Sequence, residues 1–291
     1  MPMSLLVRLN LVLGAALAII GLVLGYCCWE VLEANAQREV MREAALMMDS
    51  ALATRTYTSV EILPLLAERM KTEFLPQTVP FYAATQNFLK LREQHPAYFY
   101  KEATLNPTNP RDRAADWEGD LIQQFRNDPA THEITGERGT PMGRALYLAR
   151  PIRAESECLG CHSAPSAAPA TLIARYGSDN GFGWQLNEIV GAHVVSVPLA
   201  GAMATAEATF RTIVTAIAAV LIALLAIVNG VVYLLVVRPI RRMAGVADEI
   251  STGSRSATEI PSSGSSELAL LARSFNRLRT SLDKAMKLLE P

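Results

Sequence analysis

Two stretches without a single charged residue constrain this chain more than any other feature. From Leu11 to Trp29 (LVLGAALAIIGLVLGYCCW) and from Ile213 to Val237 there is no Asp, Glu, Lys or Arg. At 1.5 Å per residue these helices would reach about 28 and 37 Å, against a hydrocarbon core of roughly 30 Å. Both read as transmembrane helices, spanning 11–29 and 213–237. A buried core helix is the alternative, and two such runs in 291 residues make it the poorer one. No small-x-small cleavage site directly precedes the charged stretch at Glu30, so the first block reads as an uncleaved anchor rather than a signal peptide. Arg238, Arg241 and Arg242 crowd the end of the second block and Arg8 precedes the first, which places both termini in the cytoplasm. Asn229, inside the second block, is placed to hydrogen-bond to a neighbouring helix.

Five segments follow: a cytoplasmic N-terminus (1–10), the first span (11–29), an outside domain (30–211), the second span (213–237) and an inside segment (238–291). In a bacterium the outside domain lies in the periplasm and the chain in the inner membrane. The spans explain a 50% hydrophobic content and a mean hydropathy of +0.18. A net charge of −1 gives no basic face for nucleic acid, and the apolar content excludes intrinsic disorder.

Four cysteines occur, two of them (Cys27 and Cys28) at the membrane. The other two sit in Cys158-Leu159-Gly160-Cys161-His162, a C-x-x-C-H sequence. The spacing is that of c-type haem attachment: two thiols add to the two vinyl groups of one haem, and the adjacent imidazole ligates the iron. By composition alone such a match arises by chance on the order of once in a thousand chains. Cys158 and Cys161 are therefore the candidate covalent attachment points of one haem c, and His162 its axial ligand. Attachment occurs outside the bacterial membrane, where the topology independently places the motif. A thioredoxin-type redox pair lacks its strand-to-helix setting, and a zinc site lacks further Cys or His nearby.

The second axial or distal position is open from sequence. His132 lies in a polar stretch (THEITGERGT) able to fold over a haem, and Met142 offers a sulfur. His95 and His193 read as surface and strand residues. Haem propionates need cations, for which Arg113, Arg144, Arg150 and Arg153 are candidates. Secondary structure reads coarsely as helix over 30–55 and 114–126 and strand over 145–152 and 191–199, a mixed α and β domain.

Asn106-Pro107-x-Asn109, then Asp112, Trp117 and Glu118, the strand ending Arg150-Pro151-Ile152, Cys158 to His162, Gly191 and Val195-Ser196-Val197-Pro198 follow one another in a familiar order. Over roughly residues 35–200 the chain resembles the periplasmic c-type haem sensor domains of PAS-like fold, long catalogued as a domain of unknown function. The resemblance implies a helical hairpin on an antiparallel sheet with haem held against it. It also implies a second axial ligand on an early helix, a cysteine in some members. No cysteine lies between Cys28 and Cys158 here, and Tyr57 takes the corresponding place.

After the second span, Ile240, Met243, Ala247 and Ile250 recur at helical spacing, and Leu268, Leu271, Phe275, Leu278, Leu282, Met286 and Leu289 follow an a/d-like seam. Between them lies a connector with Ile260-Pro261, and Glu267 opens the second helix. Together with Pro239 and Asn276 this resembles a HAMP linker, which implies a homodimer through the HAMP and transmembrane helices. The expected fold is thus α+β: two transmembrane helices flanking a PAS-like haem domain, then a cytoplasmic HAMP helical pair. The expected function is a non-enzymatic membrane haem sensor that passes a gas or redox signal through HAMP to a partner protein in trans. A membrane-tethered cytochrome that carries electrons is the alternative; a peroxidase has no assignable distal arrangement.

Overall fold

The computed structural model describes residues 5–251, 260 and 267–289. Two compact units divide the chain: residues 28–210, and the rest.

The unit of residues 28–210 is built on four antiparallel strands: β1 (Phe99–Thr104), β2 (Ile134–Thr140), β3 (Gly143–Arg153) and β4 (Ile189–Pro198), in the order β1-β4-β3-β2. β4 lies inside the sheet and is buried along almost its whole length, which its sequence (IVGAHVVSVP) suits. Its alternate residues divide between two cores. Val195 and Val197 pack with Val40, Ala44, Met47, Met48 and Ala51 of α1 (Leu5–Tyr57) and with Ala84 and Phe88 of the helix Pro80–Gln94. Ala192 and Val194 face the opposite side, against Leu121, Ile122 and Phe125. Those three belong to α4 (Asp116–Asn127), whose polar face points to solvent. Between α1 and α4 come α2 (Leu63–Met70) and α3 (Pro80–Gln94). β2, at the sheet edge, alternates half-buried and exposed positions and carries Glu137 and Arg138, as an unpaired edge should.

Two helices widen into π-turns, at Thr58–Ile62 and Tyr233–Val237. In each case a single residue separates the turn from a proline, Pro64 or Pro239. A proline ring clashes with the carbonyl four residues earlier and offers it no N–H, and a wider turn relieves both conflicts.

The other unit contains the two apolar helices, α1 up to Cys27 and most of α7 (Ala200–Val232). Both are long and apolar enough to cross a membrane, and neither apolar window is buried in protein. Leu22 is 75% exposed and Ile222 69%, which argues against core helices and for lipid-facing ones. Asn229 bonds Asn10 reciprocally, amide N–H to carbonyl oxygen, at 2.8 and 2.7 Å. The partner of Asn229 is thus Asn10 of α1, the residue just before the first span. Asn229→Leu should weaken association of the two helices by about 1 kcal/mol, read by unfolding in mixed micelles. Asn10→Leu should match it, and combining them should add little.

Beyond α7, α8 (Arg238–Ser251) and α9 (Glu267–Leu289) form the helical pair. Met243 and Ala272 enclose Ile260, with Val246 and Phe275 against them. Asn276 holds the backbone of Ile260 from both sides, donating to its carbonyl at 2.8 Å and accepting from its N–H at 3.3 Å. Leu271 and Leu278 of the expected seam face outward. Pro261 and the rest of the connector lie outside the described residues, as do the side chains of Ile250, Leu282, Met286 and Leu289.

Candidate functional site

The C-x-x-C-H motif is helical. It occupies α5 (Ser156–His162), which starts after the extended Glu155 and carries Glu157 in its first turn, where the positive end of the helix dipole favours it. Pro165 stops the helix soon after Ser163. One helical turn sets Cys158 and Cys161 at i and i+3 and His162 at i+4 from the first. Both thiols are free and half-buried. Burial, reinforced by neighbouring Cys158, pushes the Cys161 thiol up from its ordinary value.

The segment 181–184 closes over the end of this helix. Gly183 N–H donates to the carbonyl of Ser163 at 3.0 Å, and Trp184 N–H to that of His162 at 3.1 Å, satisfying carbonyls a helix end leaves open. His162 Nδ1 lies 2.6 Å from the carbonyl oxygen of Gly181. A carbonyl only accepts, so Nδ1 carries the proton and Nε2 keeps its lone pair. Burial lowers the imidazole's pKa below its ordinary value and so favours the neutral ring, against the upward pull of the Gly181 bond. Trp184 stacks on that ring, centroids 4.1 Å apart and planes 12° from parallel. The indole in turn packs with Leu159, Phe81 and the buried Ile152, Ala154 and Val190.

Gly181 has a specific reason to be glycine. Its φ is +84°, and a Cβ there would strike Thr108, both its hydroxyl and its backbone. The Asn106–Pro110 segment is therefore the backing against which the carbonyl that orients His162 is held. Gly181→Ala should release that carbonyl and cost about 1–3 kcal/mol of domain stability. The expected readouts are a lower unfolding midpoint together with a changed absorption spectrum of the bound haem; an unchanged spectrum would dissociate Gly181 from His162.

These donors fit a haem: two thiols on one turn, a neutral imidazole with Nε2 free, and an apolar wall of Leu159, Trp184, Phe81 and Ile152. Orientation of a ligating imidazole by a carbonyl on its other nitrogen is the usual second layer of a metal site. Among the described residues no group of three or more His, Cys, Asp or Glu is gathered to hold a bare metal ion.

The remaining candidates are scattered. His132 is exposed, in the loop before β2, at the end of the sheet from which α5 departs; Arg153 of that end bonds the carbonyl of Pro129 in the same loop at 2.5 Å. Met142 is exposed at the β2–β3 turn, the opposite end of β3 from the motif. Arg144 sits beside it, ion-paired to Glu137. At 3.3 Å per residue, Arg144 and Arg153 stand about 30 Å apart along the strand, so the structure does not bring Met142 or Arg144 to the motif. Arg150 bridges Asp49 of α1 at 2.7 Å and Glu133 at 3.0 Å. Arg113 follows a short 3₁₀ turn and offers its carbonyl to Lys101. Tyr57, 59% exposed, ends α1 just before the first π-turn.

A second group of residues, of which the sequence singles out only His193, gathers where α1, β1 and β4 meet. Arg55 of α1 is ion-paired to Glu102 of β1, which is fully buried. Tyr100 donates its hydroxyl to the other carboxylate oxygen at 2.7 Å, and His193 Nδ1 lies 3.7 Å from the first. Burial pushes the Glu102 carboxyl up to about 7, against the downward pull of Arg55 and of Tyr100. Burial, and then the charges of Arg55 and Arg150, press His193 well below its ordinary 6.5.

These two shifts oppose each other in stability. Folded Glu102 binds a proton more tightly than the unfolded chain, so its contribution is complete below pH 4.5 and is lost as pH rises through about 7. Folded His193 resists protonation, so its contribution is complete above pH 6.5 and is lost as pH falls below that value. Between 4.5 and 6.5 the slopes offset. Glu102→Gln should therefore lose stability on acidification through this window faster than wild type, measured by thermal melting; parallel curves would refute the assignment.

Comparison with known proteins gives two family matches. A model described as Tll0287-like matches residues 33–198, and one described as HAMP domain matches residues 231–284. Among solved structures, the crystal structure of the cyanobacterial heme-protein Tll0287 is similar at 15% identity, with a TM-score of 0.43, covering 55% of this chain and 95% of that one. No curated protein matches the chain.

Proposed function

We propose, since the chain belongs to the Tll0287-like family and carries a HAMP domain behind its second apolar helix, that it is a dimeric receptor of the bacterial inner membrane, with a covalent haem in the periplasm and both termini in the cytoplasm. The observation that carries this reading is the arrangement on α5: paired thiols on one turn beside an imidazole whose Nδ1 is committed to Gly181. Cys158 and Cys161 would hold one haem through its vinyl groups, and His162 Nε2 would ligate the iron. Bound there, haem supplies an iron centre whose ligation and charge respond to a gas or to redox potential.

The chain's own residues do the rest. Gly181 and Trp184 fix the imidazole, and Leu159, Phe81 and Ile152 keep water from that side. A change at α5 bears on the end of β3, which pairs with β4. β4 passes into α7 after Leu199 alone. HAMP helices carry the change onward by shifting between two packings, and a partner protein reads it in trans. The outward-facing Leu271 and Leu278 support a second copy on that seam.

Absorption spectra with CO, NO and O₂ and a redox titration distinguish gas from potential as the input. Leu271→Cys and Leu278→Cys chains in membranes then report the seam. Crosslinking that changes with ligand or potential is expected. Crosslinking indifferent to both, with an iron inert to CO, would leave an electron carrier instead.

A further inference from the structure

One row of the sheet is charged from strand to strand on the side that faces α1. The register sets Glu102 of β1 opposite His193 of β4, and His193 opposite Arg150 of β3. The row on one side of it (Tyr100, Val195, Leu148) belongs to the main apolar core. The row on the other side (Gly191, Ile152) leads into the cluster beneath the motif helix. At 3.3 Å per residue, the charged row stands about 7 Å from Ile152. A buried acid thus lies between the core and the motif site.

Each neighbouring element presents something to Glu102. From α1 comes Arg55, ion-paired to it. From its own strand comes the Tyr100 hydroxyl, and from β4 the His193 imidazole. Asp112 and Arg111, in the 3₁₀ turn Pro110–Asp112, and Arg150, held by Asp49 and Glu133, act through charge. From α3 comes the ring of Phe81, 5.3 Å beneath the Arg55 guanidinium. That same ring packs against the cluster containing Leu159 and Trp184. One guanidinium therefore touches both the buried carboxylate and the wall of the motif site.

We propose that Glu102 is a proton-binding site linked to the charge of the haem iron at the motif, with Arg55 standing between the two; this rests on the haem reading above. A soluble one-electron carrier delivers an electron, and the site loses one positive charge. One solvent proton then forms an O–H bond on a Glu102 carboxylate oxygen, and it leaves when the electron does. A single guanidinium shared with so little solvent leaves that carboxylate sensitive to any nearby loss of positive charge. His193 stays neutral under Arg55 and Arg150, and the Tyr100 hydroxyl, raised by burial, keeps its proton, so neither competes.

The test uses the full chain in nanodiscs, with haem content read first from absorbance. In wild type the midpoint potential should fall as pH rises on either side of 7, by up to tenfold in the reduction equilibrium per pH unit, about 59 mV for one electron. In Glu102→Gln this slope should drop at least twofold, with haem attachment and spectrum unchanged; Glu102→Asp should retain it. A second measurement needs no variant: reducing wild-type protein in weakly buffered solution should take up a fraction of a proton per haem. A pH-independent midpoint, no proton uptake, or an equal slope in Glu102→Gln would overturn the proposal and leave the haem reading standing. A chain matured without haem would overturn both.

Discussion

Replacing Cys158 or Cys161 by alanine should remove most covalent haem from the protein, and replacing both should remove all of it. Each thioether needs its own thiol, and among the described residues the other cysteines, Cys27 and Cys28, belong to the first apolar helix. The measurement is haem staining after denaturing electrophoresis, in a host that matures c-type cytochromes. His162→Ala separates attachment from ligation: the stain should persist while the spectrum of the iron changes. Full staining of the double cysteine variant would refute covalent attachment. A wild-type chain without stain would remove the basis of the whole functional reading.

The largest effect on folding should come from Arg55→Met. The change leaves Glu102 fully buried with no cation in contact, and removing one partner of a buried ion pair costs about 3–5 kcal/mol. Arg55 is 21% exposed on its side chain, which points to the lower end of that range. Chemical denaturation provides the measurement. The double variant Arg55→Met/Glu102→Leu should recover much of the loss, because two apolar groups in place of a buried pair are often neutral or better. A single variant as stable as wild type would mean that the pair contributes nothing to the fold.

The spans and the motif were legible because their chemistry is written in neighbouring residues. Absence of charge over 19 residues needs no tertiary information, nor does C-x-x-C-H. β4 was legible as an alternating run, and its burial on both faces explains why that run is so apolar. β1 and β2 carry no strand pattern in the sequence. FYKEAT mixes charge into the buried face, since Glu102 is matched by Arg55 from 47 residues away. ITGERGT is an edge strand whose alternation is carried by polar residues. Gly181 and Trp184 are silent in the sequence for a related reason. Gly181 reaches His162 across 19 residues, and Trp184 stacks on a ring that precedes it by 22. In GFGW, glycine marks a turn but not what the turn touches. Of the arginines expected as propionate partners, Arg144 and Arg150 are already engaged by Glu137, Asp49 and Glu133, partners that only folding brings near.

The junction at Leu199 has a mechanical meaning. Its N–H is held by the Arg144 carbonyl at 2.9 Å and its own carbonyl accepts from Met203 at 3.0 Å, while its side chain is almost wholly enclosed. No slack exists between strand and helix in which a movement could dissipate. A tether would let the sheet fluctuate without consequence for the membrane. A crank does not: a displacement of β4 along its length has to be delivered as a push, pull or twist at the first turn of α7. The chain is built so that strain in the sheet becomes work on a helix.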